Sequence, residues 1–129
     1  MRASGELRSR PVCFRLLAAI HPAPREGLGA LAVGAGLDVR EGARGAGRFV
    51  EIAWGDCACS LYTRKQGRDR VVALAEALLT QSCEVQLLLA RDEEPLNFDG
   101  APVRVSLDQL RTEGLGSLPQ GRVARLVLA

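Results

Sequence analysis

The spacing of apolar residues divides the chain into alternating stretches, typical of strands, and stretches with helical periodicity. In residues 12–20 nearly every position is apolar, which predicts a strand buried on one face and partly on the other. Residues 48–54 alternate between two sets of side chains and predict a strand with two different faces. Shorter patterns predict strands or extended segments over residues 37–40, 85–90, 103–105 and 122–128.

Helical periodicity marks three further segments. Residues 63–81 are predicted as the longest helix because they carry a continuous apolar stripe, and Thr63 with Gln66 matches a capping box. Ser106 and Gln109 repeat that spacing and predict a helix of about two turns that ends at Gly114. A short helix within residues 24–36 is also predicted, although its glycines oppose it.

The order of these elements predicts an α/β protein, in which strands and helices share one core. Strand, helix, strand, strand, helix, strand is the βαββαβ order of the ferredoxin-like sandwich, here with an appended C-terminal short helix and strand. That arrangement places the first and third strands side by side and antiparallel, with both helices on one face of the sheet. The alternative is another α/β layer structure without the first helix. We expect residues 1–10 to form a loose tail and residues 11–129 a single domain.

Composition narrows the classes of function. The apolar fraction is 47%, the charged fraction 25% and the net charge +2, so there is no large basic field for nucleic acid or acidic lipid. Aromatic residues make up 4%, which further disfavours nucleic acid as a partner. No apolar run reaches the roughly 20 residues of a membrane span, and Arg15 interrupts the segment that imitates a signal peptide. Four irregularly spaced cysteines fit a reduced, cytoplasmic setting.

The first candidate site is a thiol site at Cys57 and Cys59, with Cys13 as a third member. In the ferredoxin-like order the start of the first strand lies beside the end of the third, which would gather these three sulfurs and place His21 and Cys83 at the opposite end of the sheet. Such a cluster could hold a metal such as zinc, or carry redox or persulfide chemistry. The alternative is that these cysteines are small residues that pack beneath a tight turn.

The second candidate is an anion-binding site at the start of the long helix. Arg64, Lys65, Arg68 and Arg70 cluster there, where the helix dipole also favours negative charge. The alternative is a solvated face with no ligand.

No residues form a complete catalytic set, because the single histidine, His21, is predicted at the end of the sheet opposite Cys57 and Cys59, and no pair of carboxylates is placed for acid/base work. We therefore favour a non-enzymatic binding or regulatory module that acts through an exposed edge or face of its sheet. A second copy of the chain, forming a homodimer, or another protein would be the partner. The ligand is unassigned and no cofactor is required.

Overall fold

The computed structural model describes residues 14–40, 47–54, 61, 64–91, 98 and 100–128. Three helices and six strands lie along this part of the chain, and a 3₁₀ turn at Gly114–Ser117 follows the last helix. The elements are β1 (Phe14–His21), α1 (Leu28–Gly34), β2 (Asp38–Arg40), β3 (Val50–Ala53), α2 (Lys65–Thr80), β4 (Glu84–Arg91), β5 (Val103–Ser106), α3 (Leu107–Glu113) and β6 (Val123–Val127).

The described strands form one sheet in the order β2-β3-β1-β4-β6-β5. β1 lies near its middle and pairs antiparallel with both β3 and β4, with Leu16 opposite Ile52 on one side and Leu89 on the other. The predicted α/β class is confirmed. The six-stranded sheet, however, is larger than that of a ferredoxin-like sandwich and does not confirm that assignment.

The sequence predicted that the C-terminal strand is an appendage to the sheet, and this prediction is wrong. β6 lies inside the sheet, antiparallel to β4 on one side and parallel to β5 on the other. The residues at 103–105, predicted as a strand or an extended lead-in, form β5 at the edge of the sheet. Parallel neighbours need a crossover, and α3 with its 3₁₀ turn supplies the connection between them.

The two faces of the sheet have different coverings. On the first face, side chains from β1, β3 and β4 pack with residues of α1, α2 and α3 in the main core, where Leu16, Leu78 and Leu110 are at most 1% exposed. The second face has a smaller buried cluster in which, among the described residues, no helical side chain takes part. Its members are Leu17, Ala19, Phe49, Leu88 and Val123, with Phe98 packed against them.

The main core leaves a small cavity of about 20 Å³ beneath α2. It is lined by apolar side chains from the sheet and from one face of the helix, including Ala18, Leu74 and Leu78. A space of this size and polarity offers no hydrogen-bond partner to a water molecule, so we expect it to be dry.

The capping box predicted at Ser106 is confirmed. Ser106 caps α3: its side chain accepts from the Gln109 backbone N–H, and the Gln109 side chain accepts from the Ser106 backbone N–H, both at 3.0 Å. The box predicted at Thr63 lies outside the described residues; α2 begins at Lys65 with Arg64 as N-cap, and the Arg64 side chain makes no capping hydrogen bond. Within the described ranges, no helix is long and apolar enough to cross a membrane.

Candidate functional site

The four cations predicted to bind an anion lie at the start of α2, where three of them lie beside other polar groups of the protein. Arg64 is the exposed N-cap and Lys65 the first helical residue. Lys65 Nζ lies 3.0 Å from Asp69 Oδ2, and Arg68 Nε lies 3.8 Å from Asp69 Oδ1, which is too long for a hydrogen bond. One carboxylate therefore lies beside two of the cations and weakens the field they present to a ligand.

Arg70 points away from this group and into the fold. Its Nη1 donates to the Gly36 carbonyl oxygen at 3.1 Å, and its guanidinium carbon lies 4.7 Å from the centroid of the Trp54 ring. Both contacts are of kinds that arginine favours, a charge-assisted hydrogen bond and a cation–π interaction. Arg70 thus ties the segment that follows α1 to α2 and to the end of β3.

Beside Arg70 an open groove of about 400 Å³ runs between the end of α1 and α2. Its lining combines one acid, one base and one amide with small residues, namely Asp69, Arg70, Gln66, Gly34, Ala35 and Ala73. These groups can form hydrogen bonds with a polar molecule, but the groove contains neither a nucleophile nor a histidine. An anion site at Arg64, Lys65, Arg68 and Arg70 stays a prediction.

The predicted thiol site lies outside the described residues, since Cys13, Cys57 and Cys59 all belong to segments without a described placement. Cys83 is free and 4% exposed in the main core. It directly precedes Glu84, which pairs with His21, so His21 and Cys83 lie at the same end of the sheet, as predicted. Among the described residues, no group of three or more His, Cys, Asp or Glu side chains could hold a metal ion.

A second cluster of cations, on the sheet face opposite the helices, was not anticipated from the sequence. Arg125 on β6 lies opposite Gln86 of β4 and opposite Arg104 of β5, so the three side chains share that face. Arg48 reaches the same place, because its Nη2 donates to Gln86 Oε1 at 3.1 Å. We call Arg48, Arg125 and Arg104 the arginine row.

Glu84 is the acidic partner of this row. Gln86 Nε2 donates to Glu84 Oε2 at 3.2 Å, and Arg125 Nη2 lies 4.0 Å from Glu84 Oε1. The polar side chains therefore form a chain from Arg48 through Gln86 and Glu84 to Arg125. Arg104 and Arg125 alternate with apolar neighbours in the sequence, which was a usable signal for their face, but alternation does not show that β5 lies next to β6.

No protein-family model, curated protein or solved structure matches this chain.

Proposed function

We propose that the protein is a small binding or regulatory module that self-associates through the β2 edge of its sheet. The observation that carries this proposal is the pattern Asp38, Val39, Arg40 on an edge strand. If β2 of a second copy pairs antiparallel about a twofold axis at Val39, each Asp38 lies opposite an Arg40 of the other copy. Opposite charges at facing positions stabilise a strand pair, and a twofold interface is the commonest form of homodimer.

The charged side chains on this edge are accessible for such contacts. The side chains of Asp38 and Arg40 are 61% and 42% exposed and lie 3.8 Å apart at their charged atoms. Because β2 has three residues, the backbone hydrogen bonds across the edge are few. We therefore expect a weak dimer whose population rises with protein concentration.

Charge reversal on the edge tests this arrangement. Light scattering after size exclusion, at two protein concentrations, should give a mass that rises toward that of a dimer for the natural chain. Asp38→Arg and Arg40→Asp should each be monomeric, because each places like charges opposite one another. The double variant D38R/R40D should recover the dimer, and so should a mixture of the two single variants.

The matched control is Arg111→Asp, which alters the charge on α3, far from this edge in the fold. It should leave the mass unchanged, and circular dichroism should show that all variants are folded. A natural chain that is monomeric at both concentrations would refute self-association. A dimer that D38R does not weaken would show that the partner contacts another surface.

We also propose that residues 14–91 form a ferredoxin-like unit extended by β5 and β6. What supports it is the order β2-β3-β1-β4 within the larger sheet, with every one of these neighbours antiparallel. β2 is an outer strand in that unit, so self-association there would join two sheets into one.

The alternative function is a thiol site at Cys13, Cys57 and Cys59. It is favoured by the antiparallel pairing of β1 with β3, which brings the start of β1 and the end of β3 to the same end of the sheet. Metal analysis of anaerobically purified protein, with thiol titration as a function of pH, tests it. A stoichiometric metal or a thiol with a lowered pKa would support the site, and Cys83→Ser is the control because that sulfur lies in the core.

A further inference from the structure

We propose that the arginine row is a binding site for a small phosphate-bearing molecule, held chiefly between Arg104 and Arg125. This site lies on the sheet face opposite the helices and is distinct from the β2 edge. The proposal goes beyond self-association and does not depend on it.

The geometry places the two guanidinium groups where one ligand can reach both. Arg104 and Arg125 are direct neighbours on parallel strands, so their Cα atoms are about 4.8 Å apart and their side chains leave the sheet on the same side. Arg125 is 53% exposed at its side chain, and Arg104 is exposed. Guanidinium groups present pairs of N–H donors that match the oxygens of a phosphate.

The local charge balance favours an anion at this position. Three arginines share this part of the face with one described carboxylate, Glu84, which lies 4.0 Å from Arg125 and accepts a hydrogen bond from Gln86. The Arg104 side chain has no hydrogen bond or ion pair with another described residue. Like charges at facing positions destabilise a strand pair, and a bound anion would relieve that repulsion.

The polar chain also orients the outer arginine. Arg48 donates to Gln86 Oε1, and the Gln86 amide donates in turn to Glu84. This hydrogen bond directs the Arg48 side chain toward the middle of the face, although Arg48 itself precedes β3 in the sequence. A ligand with two phosphate groups can therefore contact the Arg104–Arg125 pair with one group and approach Arg48 with the other.

A nucleic acid strand is disfavoured on this face because its described phenylalanine rings pack against each other, which leaves only the small imidazole of His21, opposite Glu84, exposed among the described rings there. Phe49 is 6% exposed, and its ring packs against Phe98 with centroids 4.8 Å apart. Base stacking supplies much of the affinity of single-stranded nucleic acid for proteins, and an arginine row alone does not replace it. The ligand class we infer is therefore a small diphosphate, either free or joined to a nucleoside.

The site is tested by calorimetric titration with inorganic pyrophosphate at low salt and without divalent metal ions. We expect saturable binding that weakens as salt is added. The double variant R104Q/R125Q removes both principal guanidinium groups and should weaken binding by about tenfold or more. The matched control is R25Q/R111Q, which removes the same charge before α1 and on α3 and should bind as the natural chain does.

Parallel titrations with adenosine diphosphate and with a short oligouridylate separate the sources of phosphate. Equal or tighter binding of adenosine diphosphate, lost in R104Q/R125Q, supports the site and assigns a nucleoside to the ligand. The absence of pyrophosphate binding, an equal loss in both variants or a loss confined to R25Q/R111Q would overturn the proposal. Tighter binding of the oligouridylate than of either diphosphate would overturn it in favour of nucleic acid. Thermal unfolding of each variant shows that the fold is intact.

Discussion

The contact between Arg70 and Gly36 determines how strongly Gly36→Ala should destabilise the protein. Gly36 has a φ of +78°, and a Cβ at this position would overlap Arg70 Nη1 and lie 2.8 Å from Cζ. Gly36→Ala therefore introduces backbone strain of about 1–2 kcal/mol and also displaces the guanidinium. The displaced group loses a charge-assisted hydrogen bond and a contact with Trp54, together about 1.5–3 kcal/mol. The single substitution should lower the free energy of unfolding by about 2.5–5 kcal/mol.

A double-mutant cycle separates these two causes. Arg70→Ala alone should cost about 1.5–3 kcal/mol, because it removes the same hydrogen bond and ring contact. In an Arg70→Ala background Gly36→Ala should cost the backbone strain alone, so the double variant should be about 1.5–3 kcal/mol more stable than the sum of the single losses. Urea unfolding followed by circular dichroism and by the fluorescence of Trp54 gives the four free energies.

Gly34→Ala is the matched control for this cycle. Gly34 is the last residue of α1, and a Cβ there would meet nothing within 4 Å. Alanine at this helical position should therefore stabilise the protein by up to about 1 kcal/mol, with or without Arg70. If the costs of Gly36→Ala and Arg70→Ala are additive, the overlap between the two side chains is refuted. If Gly36→Ala has no cost, the positive φ is refuted as well.

Three further substitutions test the cap, the cavity and one shifted titration. Ser106→Ala should lower the free energy of unfolding by about 1 kcal/mol in a urea titration, because it removes the oxygen that accepts from the Gln109 backbone; an unchanged midpoint would contradict the cap. Leu78→Ala should cost about 2–5 kcal/mol in the same assay, because it enlarges the dry cavity beneath α2; a cost below about 1 kcal/mol would mean that the core collapses around the gap. The pKa of Glu26 is lowered first by a hydrogen bond from its own backbone N–H and then by one from the Gln81 side chain. The ionised Glu26 therefore stabilises the fold above the ordinary pKa of 4.5, and this stabilisation is lost as the pH falls through the lowered pKa. Gln81→Ala should therefore raise the pKa of Glu26 toward 4.5 in an NMR titration, and an unchanged pKa would show that the backbone N–H and the charge of Arg25 lower it without Gln81.

Local sequence patterns predicted the helices and strands of this fold better than they predicted which strands lie next to each other. The helix over residues 107–114 was predicted correctly because its cap, Ser106 with Gln109, is made by residues three apart in sequence. At the start of α2 the helix begins at Lys65, two residues after the predicted Thr63, because a four-residue pattern does not show where a helix that is buried along one face begins. Packing of the stripe around Leu74 and Leu78 stabilises α2 without a side-chain cap.

Long-range pairing limited what could be predicted of the candidate site. The basic residues at the start of α2 were visible as a run, but the inward direction of Arg70 depends on Gly36, which is 34 residues away. The arginine row depends on β6 lying between β4 and β5, and no local pattern specifies that position. The side chains of Arg48, Arg104 and Arg125 come together only through the register of strands that are distant in sequence.

The position of β6 also matters while the protein is being synthesised. The strand that leaves the ribosome last among those described is the one that must enter between β4 and β5. Until residues 120–127 have emerged, the outer edge of β4 lacks the partner that it has among the described residues, and the apolar side chains beside it, such as Leu88, lack Val123 as a neighbour. An unpaired edge of this kind can recruit strands from other nascent chains. Chaperone binding should therefore persist until translation has passed β6, and chains that stop before it should aggregate rather than accumulate as a smaller folded domain.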